Sequence, residues 1–417
     1  MANLEERQSR GTKSNFFYGY IVVAACFGLQ MMIWGLFLSF GVFLKPLVYQ
    51  FGWSRAVISG ASSLALFFSG VTSIFFGSLN DRYGPRMIMT ACGFFLGLGC
   101  LLMSQVNAIW QLYLFYGVLV GIGISGADVV LLSTVARWFV KKRGMMSGVI
   151  MVGTGLGILI MPLVASSLIS IYGWRISYII LGTLALLFVI SVAQLLRRDP
   201  GQMKQLPDGE QKIVFGSLDS AEGGLSLREA IYTRQFWTIC TIYLAISLCA
   251  NVVIIHIVPH AVDIGISTIT AAGILSTIGG VSIAGRLIMG STGDRVGNKW
   301  AVIVCFLVFV AAFIWLLVAK ELWMLYVFAA AYGFAHGGFF VVGSPLVAEL
   351  FGISSHGLIF GIVFFSGTIG GAIGPFVAGY IFDVTGSYQV AFVACAAIVI
   401  VGLILTILLT PITDKHG

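Results

Sequence analysis

The sequence predicts an all-α membrane protein: twelve transmembrane helices in two six-helix halves that repeat one another in parallel. Three observations carry that expectation. Hydrophobic residues make up 59% of the 417 residues, charged residues 9%, and the mean hydropathy is +1.02. A soluble chain, about a quarter charged, hides nothing like that much apolar surface. Second, Gly77-Ser78-Leu79-Asn80-Asp81-Arg82-Tyr83-Gly84-Pro85-Arg86 returns 213 positions later as Gly290-Ser291-Thr292-Gly293-Asp294-Arg295-Val296-Gly297-Asn298-Lys299. The same offset carries Gly52 and Ser54 onto Gly265 and Ser267, Gly148 onto Gly361, Pro162 onto Pro375 and Gly173 onto Gly386. Matches in register along the chain mark a tandem duplication. Third, the basic residues fall on alternate loops.

Apolar stretches of about twenty residues, separated by polar punctuation, read as spans. They lie at 17–45, 56–79, 87–106, 109–136, 144–171 and 175–196 in the first half, 1–196. In the second half, 235–417, they lie at 235–261, 268–292, 300–319, 322–349, 357–382 and 388–410. The segment 197–234 between the halves is polar and lacks apolar periodicity, so it reads as a linker loop with a short interfacial helix near Leu225–Tyr232.

Orientation follows from the basic loops. Arg7, Arg10, Lys13, Arg82, Arg86, Arg137, Lys141, Lys142, Arg143, Arg197, Arg198, Lys204, Lys212, Arg228, Arg234, Arg295, Lys299 and Lys415 fall on one side. The other side holds only Lys45, Arg55, Arg175 and Lys320. The positive-inside rule then puts both termini in the cytoplasm, in the cytoplasmic (inner) membrane. The net charge of +7 is therefore a topology signal, with membrane lipids as partners and no nucleic acid. The seven cysteines all fall in spans, without metal-ligand spacing or a disulfide pattern. No metal or cofactor is expected, nor an enzyme, since no nucleophile constellation stands out. A channel would need a filter sequence or a ring of like charge, and neither is present.

The repeated decapeptide resembles the loop between the second and third helices of the major facilitator superfamily, and the resemblance extends over the whole chain. It implies the major facilitator fold and a monomer. Asp81, Arg82, Arg86, Asp294 and Arg295 are then gating residues, whose carboxylates face helix N-termini and neighbouring arginines to latch one conformation. A second stretch, Arg137-Trp138-Phe139-Val140-Lys141-Lys142-Arg143-Gly144 followed by Gly148, Gly153, Gly155 and Gly157, is similar to the fifth-helix entry of monocarboxylate transporters and of bacterial oxalate–formate exchangers. Glycines spaced along one helix let backbones approach and slide. Asn15-Phe16-Phe17-Tyr18-Gly19-Tyr20 keeps only part of the family's first-helix motif, which suggests a bacterial branch.

Ionisable residues inside spans are costly and mark function. Arg286 lies eight residues before Asp294, about 10 Å inside the boundary, at the spacing of the substrate-binding arginine in both resembled carriers. Its guanidinium stays charged and its fork fits a carboxylate. Asp128 falls mid-span, where burial and a nearby cation act on it in opposite senses, so it is the candidate proton carrier. His336 is the second candidate for substrate and proton. Against the resemblance, Leu38 stands where animal monocarboxylate transporters have a lysine and Ser282 where they have an aspartate. Gly367 stands where the exchanger has a second cation. One buried cation suits one carboxylate, with Leu38, Phe340 and Phe364 as an apolar wall around a short chain. The expectation is proton-coupled symport of a small monocarboxylate such as lactate, pyruvate or acetate. Proton-independent anion exchange of the oxalate/formate type, and a non-transporting carrier-fold sensor or scaffold, are the alternatives.

Overall fold

The computed structural model describes residues 17–53, 55–209, 224–266 and 268–410. Arg7, Arg10, Lys13, Asn15, Phe16, Ser54, Lys212, Ser267 and Lys415, used above, lie outside them. The described chain is almost entirely helical, and twelve helices are long and apolar enough to cross a membrane. They are α1 (Gly19–Leu44), α2 (Gly60–Tyr83), α3 (Pro85–Met103), α4 (Ile109–Trp138), α5 (Arg143–Ala165) and α6 (Ser167–Ala193). The second set is α7 (Arg234–Ala261), α8 (Gly273–Val296), α9 (Asn298–Val318), α10 (Leu322–Phe351), α11 (His356–Phe382) and α12 (Gln389–Ile407). Exposed Phe75, Leu163, Leu307 and Phe376 show that apolar surface continues to the outside, as a lipid-facing belt requires.

The duplication is written into the backbone. Gly84 and Gly297 follow α2 and α8 with φ of 84° and 96°, a region that L side chains rarely occupy. Gly173, at φ 76°, breaks the continuous helical stretch Arg143–Ala193 near the start of α6, and Gly386, at φ 69°, caps the helix that contains α11. Each of these pairs keeps the 213-residue offset.

Packing repeats likewise. A Cβ on Gly157 of α5 would collide with the carbonyl of Met31 on α1, and one on Gly370 of α11 with that of Leu244 on α7. These helices pack backbone to backbone because lipid supplies no hydrophobic drive between them, so close van der Waals approach does the work. The halves meet along two seams, α2 against α11 and α5 against α8.

Between the halves, the expected interfacial helix is Leu227–Ile231. Ser226 and Glu229 cap it reciprocally, satisfying otherwise free N–H groups. α4 departs from regular geometry. Tyr113–Val120 is π-helical, and a turn at Ser125 precedes the segment Gly126–Trp138 that bears Asp128.

Candidate functional site

The first cluster lies at the ends of the two seams. Asp81, near the end of α2, accepts the N–H groups of Gly357 (3.0 Å) and Leu358 (3.0 Å) in the first turn of α11. Asp294, at the same place on α8, accepts those of Gly144 (2.6 Å) and Met145 (2.8 Å) in the first turn of α5. Each carboxylate of one half thus sits on a helix N-terminus of the other, where free N–H groups and the helix dipole both favour an anion. One turn inward, Gly77 lies against Gly357 and Gly290 against Gly144, so close that a Cβ on any of the four would strike the opposing backbone.

The arginine beside Asp81 is not the one the motif suggested. Arg137, at the end of α4, donates from Nη2 to Asp81 Oδ1 at 2.7 Å, the only ion pair among the described residues. Arg82 instead lies over the ring of Tyr83, and Arg86 donates to Gln194. Arg295 makes no ion pair. The correction has a plain cause: Arg82 and Arg86 flank the loop and can reach water, whereas Arg137 is 9% exposed and has only Asp81 to answer its charge. Arg143 donates to the carbonyls of Ala136 and Phe139, tying the α4–α5 turn.

The second cluster lies deeper. Arg286 on α8 is 6% exposed, and its Nη1 donates to the carbonyl of Met151 on α5 at 2.8 Å. Its Nε is buried without an acceptor. Asp128 on α4 is 7% exposed, and its Oδ1 accepts from Nε2 of Gln30 on α1 at 2.7 Å. The two opposite charges face one another electrostatically but are not in ion-pair contact. Gln30 Nε2 also lies 3.4 Å from the sulfur of Met151, so Gln30 and Met151 link the two by a chain of neutral contacts. His336 on α10 is within electrostatic reach of Arg286, stacked on Tyr332 and set edge-on to Phe340. Tyr243 of α7 packs edge-on against Phe340 and Phe360, and its buried hydroxyl has no partner.

The remaining sequence candidates are placed less centrally. Phe364 continues the aromatic row from Phe360. Ser282 donates its hydroxyl to the carbonyl of Gly279 in its own helix and packs its backbone against Gly337. Gly367 was expected to leave room for substrate, but α7 takes that room: a Cβ there would meet Ser247 Oγ at 2.9 Å. Leu38 ends the segment Gly19–Leu38 of α1 about 12 Å along its axis from Gln30, is 41% exposed, and stands apart from the polar cluster. His256 bonds the carbonyl of Pro375 and faces the hydroxyl of Tyr388.

Sequence reasoning missed Gln30, Met151 and Tyr243. Gln30 had a visible signal, because it is the one amide or charged side chain between Gly19 and Leu44. A search restricted to ionisable groups passed over it. Met151 had none, since it acts through its backbone carbonyl.

The sequence model of the Major Facilitator Superfamily matches residues 21–291 and 263–417. Monocarboxylate transporter 13 of Bos taurus is 27% identical over 387 residues, which are 92% of this chain and 88% of the relative. Among solved structures, the human organic anion transporter MFSD10 superposes with a TM-score of 0.71 at 16% identity, covering 93% of this chain and 99% of that one. The Escherichia coli fucose:proton symporter FucP superposes with a TM-score of 0.68 at 17% identity, over 95% of this chain and all of that one (100%). At those identities the two structures bear on the fold alone.

Proposed function

The chain belongs to the Major Facilitator Superfamily, and from that membership as a membrane transporter we propose that it carries a small monocarboxylate together with a proton. The observation that supports the reading is Arg286: a buried guanidinium with one backbone acceptor, an unpartnered Nε and no carboxylate in contact. A cation so placed favours an anion, and its planar fork matches a carboxylate. The relatives named monocarboxylate transporters point to the same substrate class.

One buried cation neutralises one carboxylate. A dicarboxylate would leave its second charge unmatched in a site of low dielectric, so lactate, pyruvate or acetate fits better than oxalate. Phe340 and Phe364 would wall the short chain, with Leu38 at its approach. Asp128 is the proton carrier in this reading and His336 a substrate contact. When Asp128 holds a proton, Arg286 faces the anion without a competing carboxylate. The loaded site is then close to neutral, which lowers the cost of rocking one half, 1–196, against the other, 235–417, about the linker. With the termini in the cytoplasm, the Asp81 and Asp294 contacts would close the cytoplasmic side. The protein works as a monomer in the inner membrane.

The test is uptake of radiolabelled C1–C5 acids by purified protein in proteoliposomes with an imposed pH gradient. Lactate-sized monoanions accumulate, and oxalate competes poorly at equal concentration. Asp128→Asn loses pH-driven accumulation and keeps lactate counterflow, because an amide mimics the protonated acid. Strong oxalate competition, or counterflow without any response to the gradient, would replace this reading with anion exchange. Absence of counterflow for every acid would make the protein a sensor or scaffold.

A further inference from the structure

Two opposite charges share the deep cluster, yet they do not touch. In a medium of low dielectric, Asp128 and Arg286 attract strongly, so a separation that persists needs something to hold it. The side chain bonded to Asp128 at hydrogen-bond distance is Gln30. It is fully buried in α1, its Nε2 donates to Asp128 Oδ1 at 2.7 Å, and the same nitrogen lies 3.4 Å from the sulfur of Met151. Met151 in turn gives its carbonyl to Arg286 Nη1 at 2.8 Å. Each charge therefore has a neutral partner, and the two partners are in contact.

We infer that Gln30 is a positioning residue that holds Asp128 away from Arg286 and so keeps the guanidinium available to the substrate carboxylate. The inference rests on the reading of Arg286 as the anion site. A neutral amide suits the role because it can bond a carboxylate without neutralising it. Its Oε1 is buried without a partner, an unfavourable arrangement that a residue serving only to fill the core would not require. The 213-residue offset places Tyr243 at the position matching Gln30 and Val341 at that matching Asp128, so the second half has no counterpart of the carboxylate. Only the first half needs a spacer.

Lactate counterflow into proteoliposomes tests this with three Gln30 variants, set beside Asp128→Asn and Arg286→Ala. Gln30→Met keeps the volume and removes the amide, leaving Asp128 free to swing onto Arg286. The KM for lactate rises about tenfold, the size of a typical coupling between sites, while maximal turnover changes little. In Gln30→Met/Asp128→Asn the competing charge is gone, and KM returns to that of Asp128→Asn alone. Gln30→Asn, which retains the amide on a shorter stem, gives an intermediate KM and serves if the methionine variant does not fold. A wild-type KM in both Gln30 single variants, or a defect that persists in the double variant, overturns the spacer while leaving the anion site standing. A wild-type KM in Arg286→Ala overturns the anion site, and the spacer with it.

Discussion

The two seams that join the halves share one set of backbone contacts and differ in where their charged side chains stand. In the α2–α11 seam, Asp81 accepts two N–H groups of α11, Gly77 crosses Gly357, and the backbone of Ser73 lies against Gly361. In the α8–α5 seam, Asp294 accepts two N–H groups of α5, Gly290 crosses Gly144, and the backbone of Arg286 lies against Gly148. Every residue of the second set is the first shifted by 213. Among the departures are Ser73 against Arg286; Arg137, which pairs with Asp81, against Leu350, so that Asp294 has no ion-pair contact; and Arg143, which faces Asp294 electrostatically, against His356. The backbone contacts recur on both sides. The charged side chain that would take a substrate occurs on one.

The sharpest way to break this comparison is at the 73/286 pair. Arg286→Ala should cut lactate uptake at least about 30-fold, because a buried charged contact is worth about 2–5 kcal/mol. Arg286→Lys keeps the charge without the fork and should also fail, with weak binding left. Ser73→Ala should transport normally, since its hydroxyl only returns to the carbonyl of Gly70 in its own helix. Equal loss in Ser73→Ala and Arg286→Ala would erase the distinction between the seams.

The next test asks for equality. Gly144→Val and Gly357→Val each place side-chain atoms on an opposing backbone with no room to yield, so both seams should be unable to close. Both variants should reach the membrane and lose uptake to a similar degree. If only one does, the two crossings are not equivalent.

The smallest effect separates the aspartates. Asp81→Asn strands Arg137, at a cost of about 3 kcal/mol for a broken buried pair. Asp294→Asn weakens hydrogen bonds to two N–H groups, about 1.5 kcal/mol. Thermal melting in detergent should therefore fall further for Asp81→Asn. Asp81→Asn/Arg137→Gln should recover part of the loss, because it removes the stranded charge. A larger fall for Asp294→Asn would show that Arg137 does not set the difference.

Much of this was legible in the sequence. Spans, the repeat and the polar linker are local properties, set by hydropathy over about twenty residues and by spacing. Arg286 and Asp128 stood out because charge inside a span is rare. Gly367 was misread for the same reason that it was noticed: a glycine leaves space, but the sequence does not say which neighbour fills it. Arg82 and Arg86 were credited over Arg137 because they adjoin Asp81 in the chain, although Arg137 lies 56 residues away.

By itself, then, the sequence determined the twelve helices, the two-fold plan and the residues able to bear charge in the membrane, because each depends on side chains near one another in the chain. Only the tertiary structure decided which charges pair. Asp81 goes to Arg137, Asp128 to Gln30 and Arg286 to the Met151 carbonyl, across separations of 56, 98 and 135 residues. Those choices turn on how closely the helices approach. That distance is fixed by glycines meeting backbone on two helices at once, which no single stretch of sequence contains.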